Sequence, residues 1–548
     1  VKALVIDGYV DEPSAFGVPP YVSHYVRYVS GLFLLKGIDV SYLTIDQIRS
    51  QNMWNQIRGY DYVIIVGGIT VPGRYVGGIP IKEKEIQRIL RIASKNIKVM
   101  VGAVSRFFAD SGGSYAREIK STVECAVRND AVSDLHEFLF EKPLGDNYWE
   151  ILLKASIEGA SVLSQHPRFP NIICEIELSR GCERQSHCSF CIEPVFFPKL
   201  VSRPVEHVIL EIEALYKAGC RAFRFGRSSN VLAYYFDRNN RKPCPAVFED
   251  LYSGIWEVAP SLQVLHHDNA NASFLTRFPR ECVKILNSIV SGNTPGDVLS
   301  FGIESFDEKV LRMNNVGITP QEAFRAVETV NEIGAKRIEG IPKLLPGINL
   351  LHGLIGESSE TFRENVRWLK KIAESGLLLR RINIRKVIVE PETALWRYTK
   401  RRALKIPTKD FHLYKEIIRK EIDLPMIKRV FPVGTVLNKV YPEYRKGKLT
   451  FARQLGTYPV LVGVPRELPK PENIVIVDHG PRSVTGVVYP LNLNQVTFEE
   501  LTAIPRIGAK RAERIILNRP FKCFTEVEKA LEDNDCVEFL TQLGAVLL

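Results

Sequence analysis

The sequence predicts an α/β protein: a Rossmann-like parallel-sheet domain, a partial (β/α)6 barrel, a small β-barrel and a helical hairpin domain. Three observations carry this. Short β-prone runs alternate with helical stretches over the first 390 residues, as in parallel sheets. Five short β-prone runs with turns then crowd into 431–492, the texture of an OB-like barrel. The remaining residues, 493–548, read as helical.

In the first domain, 1–125, the strands are Lys2–Ile6, Val40–Leu43, Tyr62–Val66 and Lys98–Val101. Tyr21–Lys36 and Lys84–Ser94 have helical spacing between them. Gly67-Gly68 and Gly102 stand at strand carboxyl ends, where glycine lets a ligand approach the backbone; tight turns account for them equally. Linker helices fill 126–170 and stop at His166-Pro167-Arg168-Phe169-Pro170. Six β/α units follow over 171–400. Their strands are Ile172–Leu178, Ala222–Gly226, Leu262–His267, Val298–Ile303, Ile348–Leu354 and Ile382–Val389. Glu206–Ala218, Pro320–Ile333 and Ser359–Ser375 are among the helices between them. Two units short of eight, the barrel should be open. A basic helical connector, 401–430, leads to the small barrel. The tail opens with Thr497 capping a helix and Glu500 three residues on, and Ile504-Pro505-Arg506-Ile507-Gly508 breaks into a second helix.

The chain has 548 residues, 45% hydrophobic and 25% charged, so large cores are possible and wholesale disorder is excluded. No apolar run reaches the roughly 18 residues a membrane span needs. The N-terminus reads as a strand rather than a signal peptide, so a cytoplasmic protein without membrane contact is expected. Ten cysteines are too few for a disulfide scaffold. Cys174, Cys220 and Cys282 sit in apolar runs, and only Cys182, Cys188 and Cys191 cluster. The net charge is +11, yet Arg380–Arg453 alone holds 20 Lys/Arg against 7 Asp/Glu. Such a segment suits a polyanion such as RNA, or a solvated basic surface.

The cysteines form Cys182-Glu-Arg-Gln-Ser-His-Cys188-Ser-Phe-Cys191, directly after the first barrel strand. Three thiolates can hold three corners of a [4Fe-4S] cluster and leave the fourth iron open. Zinc is the alternative, but a structural zinc wants four ligands, and His187 adjoins Cys188 too closely to share a tetrahedron easily.

With this loop the sequence resembles the radical S-adenosylmethionine superfamily. The motifs run in order: Glu177-Leu-Ser-Arg-Gly-Cys182, Ser300-Phe-Gly302-Ile-Glu304-Ser305, and Gly353-Leu-Ile355-Gly356-Glu357. The resemblance implies a [4Fe-4S] cluster on Cys182, Cys188 and Cys191, with S-adenosylmethionine beside it. Phe190, Gly226, Gly302, Glu304, Ser305 and Ile355 would be near that cofactor, with Glu304 and Ser305 at the ribose and Arg312 at the carboxylate. Ser305 reads equally as a helix cap. Cysteine spacing of five and two replaces the usual three and two, and Phe225-Gly226-Arg227-Ser228-Ser229-Asn230 lacks the common Gly-Gly-Glu. An external electron donor such as ferredoxin or flavodoxin is implied.

His266-His267-Asp268-Asn269-Ala-Asn271 ends the third barrel strand, the active-site face of such a barrel; His267 and Asn269 are the catalytic candidates, against a plain polar loop. The first domain resembles a cobalamin-binding domain without the Asp-x-His-x-x-Gly motif, so cobalamin is a possible further cofactor. Its single Cys125 argues against a second cluster for sulfur insertion. The small barrel resembles a TRAM domain, with Arg445, Lys446, Lys448 and Arg453 as RNA contacts. The tail resembles a helix-hairpin-helix, with Gly508, Lys510, Arg511 and Arg514 at phosphate. Together these imply a radical enzyme modifying RNA, transfer RNA first, by methyl transfer or another C–H functionalisation. The alternatives are a radical enzyme for a peptide or small molecule, and a nucleic-acid-binding protein with a structural cluster.

Overall fold

The computed structural model describes residues 1–548 except 13, 14, 70–74, 110, 121 and 403–407, so part of the basic connector lies outside the described residues. Apolar residues in runs long enough to be buried on both faces build the first sheet. Lys2–Glu12 is its centre, flanked in parallel by Asp39–Thr44 and Tyr62–Ile69, with Ile97–Val101 and Cys125–Ala126 beyond. Leu4, Ile6, Val63 and Ile65 point to one core and Val5, Ile64 and Val66 to another, the alternation a two-sided sheet requires.

The second sheet system is an open barrel. Ile173–Glu177, Ala222–Arg227 and Val264–His267 pair in parallel; so do Asn269–Ala270, Asp297–Glu304, Leu344–His352 and Arg381–Lys386. The chain changes sheet at Asp268, whose carbonyl accepts from Ser300 N at 2.6 Å. Expected helix Tyr21–Lys36 is corrected at its start. Tyr21–Val22 is extended and adds an edge strand to Ile173–Cys174, and the helix begins at His24. Tertiary pairing there overrides helical spacing.

Two helices, Ala131–Phe140 and Tyr148–Glu158, lie against His24–Leu35; Gly31 touches the Ala155 backbone. Arg27 of that first helix and Arg203 both bind Glu211 of the barrel helix Val205–Lys217, all three fully buried. Five strands, Val436–Lys446, Leu449–Arg453, Leu461–Val464, Glu472–His479 and Ser483–Val488, close into a small barrel. It is bonded into the large one: Thr457 N donates to His266 Nδ1 at 2.9 Å, and Tyr458 Oη to Asp268 at 3.2 Å. Helices Phe498–Ala503, Ala509–Leu517, Phe524–Leu531 and Asn534–Gln542 end the fold. Among the described residues no helix is long and apolar enough to cross a membrane.

Candidate metal and cofactor centre

The loop that carries Cys182, Cys188 and Cys191 leaves the carboxyl end of Ile173–Glu177 and is held from three sides. From the second strand's loop, Ser229 Oγ donates to Gly181 O at 2.6 Å and Asn230 Nδ2 to Glu183 Oε1 at 3.0 Å. Asn271, after the third strand, donates to the same Glu183 oxygen at 2.8 Å. Glu193 accepts from Gly181 N at 2.8 Å and from Arg227. On the far side Asn314 is fully buried. Its carbonyl oxygen accepts from Ser189 Oγ at 2.7 Å and Ile355 N at 3.2 Å, and its amide donates to Ile355 O at 2.8 Å. Asn314 thus fastens the turn between Cys188 and Cys191 to the Gly353–Gly356 segment. Phe190 packs on Val310, Leu354, Ile355 and Leu395, an apolar platform beside the thiols.

Burial pushes all three thiols up, and each is raised further by another thiol or a nearby carboxylate; beside Cys188, Arg184 Nη1 donates to the sulfur at 3.0 Å and opposes this. Among the described residues no three His, Cys, Asp or Glu side chains gather closely enough for one metal ion. His187 Nδ1 is buried with no hydrogen-bond partner among the described residues. A cubane holds one thiolate per corner and spaces its ligands more widely than one ion does, so three neighbouring thiols on one loop fit a cluster better than a zinc tetrahedron.

Glu304 ends the fourth strand with φ +66°, and burial pushes its carboxyl up to about 8, opposed by Arg385. Gly302 lies under that carboxylate. Ser305 is turned inward: its Oγ accepts from Asp307 N at 3.1 Å and lies 3.4 Å from Asn365 Oδ1, while Asp307 caps the next helix. Arg312 is exposed. Gly226 has a packing reason, since a Cβ there would overlap the Glu175 carboxylate. The structure does not bring His267 to this centre. The imidazole is fully buried between Asp297 Oδ2, at 2.6 Å from Nδ1, and Tyr252 Oη, at 2.5 Å from Nε2. Asn269 pairs in register with Ser300. Asn271 of that loop reaches the cysteine loop through Glu183. Sequence reasoning marked the stretch that holds Asn271 but chose His267 and Asn269 from it, and it missed Glu183 and Asn314; Glu183 adjoining the first cysteine was a signal, and Asn314 gave none.

At the strand ends of the first domain, Gly68 packs on Ala103 and Val104, and Gly102 on Gly67 O, so the chain's own atoms fill that edge. In the small barrel, exposed Tyr444 stacks on Phe451 at 4.9 Å beside Arg445, Lys446 and Lys448. Arg445 pairs with Glu467 and Lys448 with Glu499. Arg453 pairs with Glu443 at 2.6 Å. Gly508 caps Ala509–Leu517 with open space around it, Lys510 is exposed, and Arg511 and Arg514 pair with Asp533 and Glu532.

No family model matches the chain. An uncharacterised protein of Archaeoglobus fulgidus is 38% identical over 96% of this chain and 97% of its own length. Another, of Methanocaldococcus jannaschii, is 39% identical over 89% and 93%. The chain belongs to the family of these two archaeal proteins. The chain is also distantly similar to methylthiotransferases. The tRNA-2-methylthio-N(6)-dimethylallyladenosine synthase of Fervidobacterium nodosum is 24% identical over 46% of this chain and 52% of its own length. A solved structure, the radical S-adenosylmethionine methyltransferase TsrM of Kitasatospora setae, covers 70% of this chain and 72% of its own at 13% identity, with a TM-score of 0.44.

Proposed function

We propose that this archaeal family modifies RNA, transfer RNA in the first instance, by radical methyl transfer or a related C–H functionalisation. The observation that carries this is the joining of two features in one fold. A three-thiol loop sits at the carboxyl end of an open barrel, and a closed five-stranded barrel with an exposed Tyr444–Phe451 stack and basic hairpin is bonded to the same barrel. Cys182, Cys188 and Cys191 would hold the cluster. When bound, cluster and S-adenosylmethionine supply one-electron cleavage of a carbon–sulfur bond. The chain's own work is positioning. Glu183, Asn230 and Asn271 fix the loop, Asn314 sets Phe190 and Ile355 as a wall for an adenine, and the half-buried Glu304 offers a hydrogen bond beside it. Tyr444 presents a stacking face to a base, and Lys446, Lys448 and Lys510 present charge to phosphates. A ferredoxin- or flavodoxin-type donor completes the proposed set; a corrinoid would have to bind elsewhere than the filled strand edge of the first domain.

The test is S-adenosylmethionine turnover by anaerobically reconstituted protein with and without transfer RNA, with mass spectrometry of the RNA nucleosides. Turnover that transfer RNA stimulates, with a new nucleoside mass, supports the reading. Turnover indifferent to RNA points to a peptide or small molecule, and no turnover at full iron loading points to a structural cluster.

A further inference from the structure

A cavity of about 570 Å³ opens where the first domain, the last barrel strand, the connector and the small barrel meet. Six cationic side chains line it: Arg381 and Arg385 from Arg381–Lys386, Lys415 and Arg419 from the connector, and Arg453 and Arg482 from the small barrel. Among the described lining residues the acid is Asp11, which accepts from Tyr75 Oη at 2.6 Å. Some of the positive charge is answered from within the chain. Arg419 pairs with Asp423, Arg453 pairs with Glu443, and Arg381 donates to Asn383 while its guanidinium lies 4.3 Å from the Tyr458 ring centroid. The side chains of Arg385 and Arg482 make no hydrogen bond or close ion pair among the described residues, although Asp11 and Glu304 face Arg385 and Asp423 faces Arg482 at longer range. Burial, with Arg381 and Arg419 close by, pushes Arg482 down to about 10. Burial, with Arg381 and Arg482 beside it, pushes neighbouring Arg380 down to about 9.

Like charges gathered in a low-dielectric space repel, and holding them there costs free energy that a bound anion recovers. Guanidinium forks match phosphate oxygens in pairs. Rings line the same space: Phe16 and Tyr458 lie edge to face at 5.5 Å, and Tyr75 and Tyr21 are beside them. Aromatic faces beside arginines suit a base as well as its phosphates, and the volume is that of a small-ligand site.

We propose that this cavity is a nucleotide-phosphate site, with Arg385 and Arg482 as its principal phosphate contacts. It shares Arg453 with the residues read above as RNA contacts but neither of its principal contacts, goes beyond the RNA reading and stands if that reading fails. A free nucleotide and a nucleotide of an RNA chain present the same chemistry.

The experiment is calorimetric titration of the full, cluster-loaded chain with inorganic pyrophosphate and then with ADP. One pyrophosphate should bind per chain, and ADP more tightly through its base. Arg385→Gln/Arg482→Gln should weaken both by about tenfold or more, the loss of a charge-assisted hydrogen bond or two. Arg363→Gln/Arg367→Gln, which removes equal charge from a remote exposed helix face, should change neither. The cavity variant should melt no lower than its parent without ligand, because repulsion is relieved. If it does not fold, Arg385→Lys, which keeps charge and loses the fork, is titrated instead and should still bind more weakly. Displacement of ADP by transfer RNA supports the site with an RNA nucleotide as its ligand, and failure to displace supports it with a free one. No pyrophosphate binding by the parent, equal binding by the cavity variant, or displacement of pyrophosphate by one aquacobalamin per chain would overturn the proposal.

Discussion

Replacing Glu211 by Gln takes away the carboxylate that lies between two fully buried guanidiniums and ties the first domain to the barrel. Glu211 Oε1 accepts from Arg27 Nε at 2.9 Å, and Oε2 pairs with Arg203. Without it, Arg27 keeps the Glu175 carbonyl, and Arg203 keeps Ser156 Oγ at 3.4 Å and the His207 carbonyl at 3.2 Å, all neutral oxygens. Two charge-assisted bonds at about 1.5–3 kcal/mol each, or about 3–5 kcal/mol for a broken buried pair, lead to the same expectation. The variant should lose about 3–5 kcal/mol of a total on the order of 5–15 kcal/mol. Burial alone pushes the Glu211 carboxyl up, but Arg203 and Arg27 outweigh it and hold it below its ordinary value. The stabilisation is therefore complete above the unfolded carboxyl value of about 4.3 and is lost as pH falls through the lower folded value. Urea unfolding of parent and variant at pH 7 and at pH 4 measures both effects. A loss under about 1 kcal/mol at pH 7 would refute the reasoning, since the guanidiniums would then have found water or another anion.

Changing Cys182, Cys188 and Cys191 together to Ala should abolish iron binding and the brown colour of reconstituted protein, where the parent takes about four iron per chain; retained iron sinks the cluster assignment. Asp7 is fully buried and accepts from Tyr42 Oη at 2.7 Å; burial pushes its carboxyl up to about 7. A raised carboxyl costs stability as pH climbs from the unfolded value toward 7, so Asp7→Asn should gain in melting temperature over the parent at pH 8 relative to pH 5; a pH-independent difference argues against it. Charge reversal at Lys446, Lys448 and Lys510 should weaken transfer RNA binding alike across unrelated sequences. It should also flatten the salt dependence by about 0.7 for each phosphate no longer neutralised; unchanged filter binding would move the RNA surface elsewhere. Glu183→Ala should leave the fold intact and slow reconstitution of the cluster, read as the rate at which the brown absorbance appears, because the loop loses the oxygen that accepts from Asn230 and Asn271.

The sequence by itself determined the α/β class, the order of its strands and the three-cysteine loop. Each of these is written locally, in apolar runs such as Val63–Val66, in caps such as Thr497 with Glu500, and in the short loop from Cys182 to Cys191. Tertiary structure alone decided the rest. Tyr21–Val22 left helical spacing for an edge strand because Ile173–Cys174 offered its unpaired backbone. His267, polar and near the active-site end by sequence, turned inward because Asp297, thirty positions on, supplied a buried partner. Asn314 became the clamp on the cysteine turn by bonding to Ser189 and Ile355, far from it in the chain. The basic segment 380–453 was visible as charge, but only folding sorted it. Arg445 is answered by Glu467 on the surface, while Arg381, Arg385, Arg419 and Arg453 converge with Arg482 on one cavity. Composition counts charges along the chain, whereas repulsion, pairing and binding depend on distances that long-range packing sets.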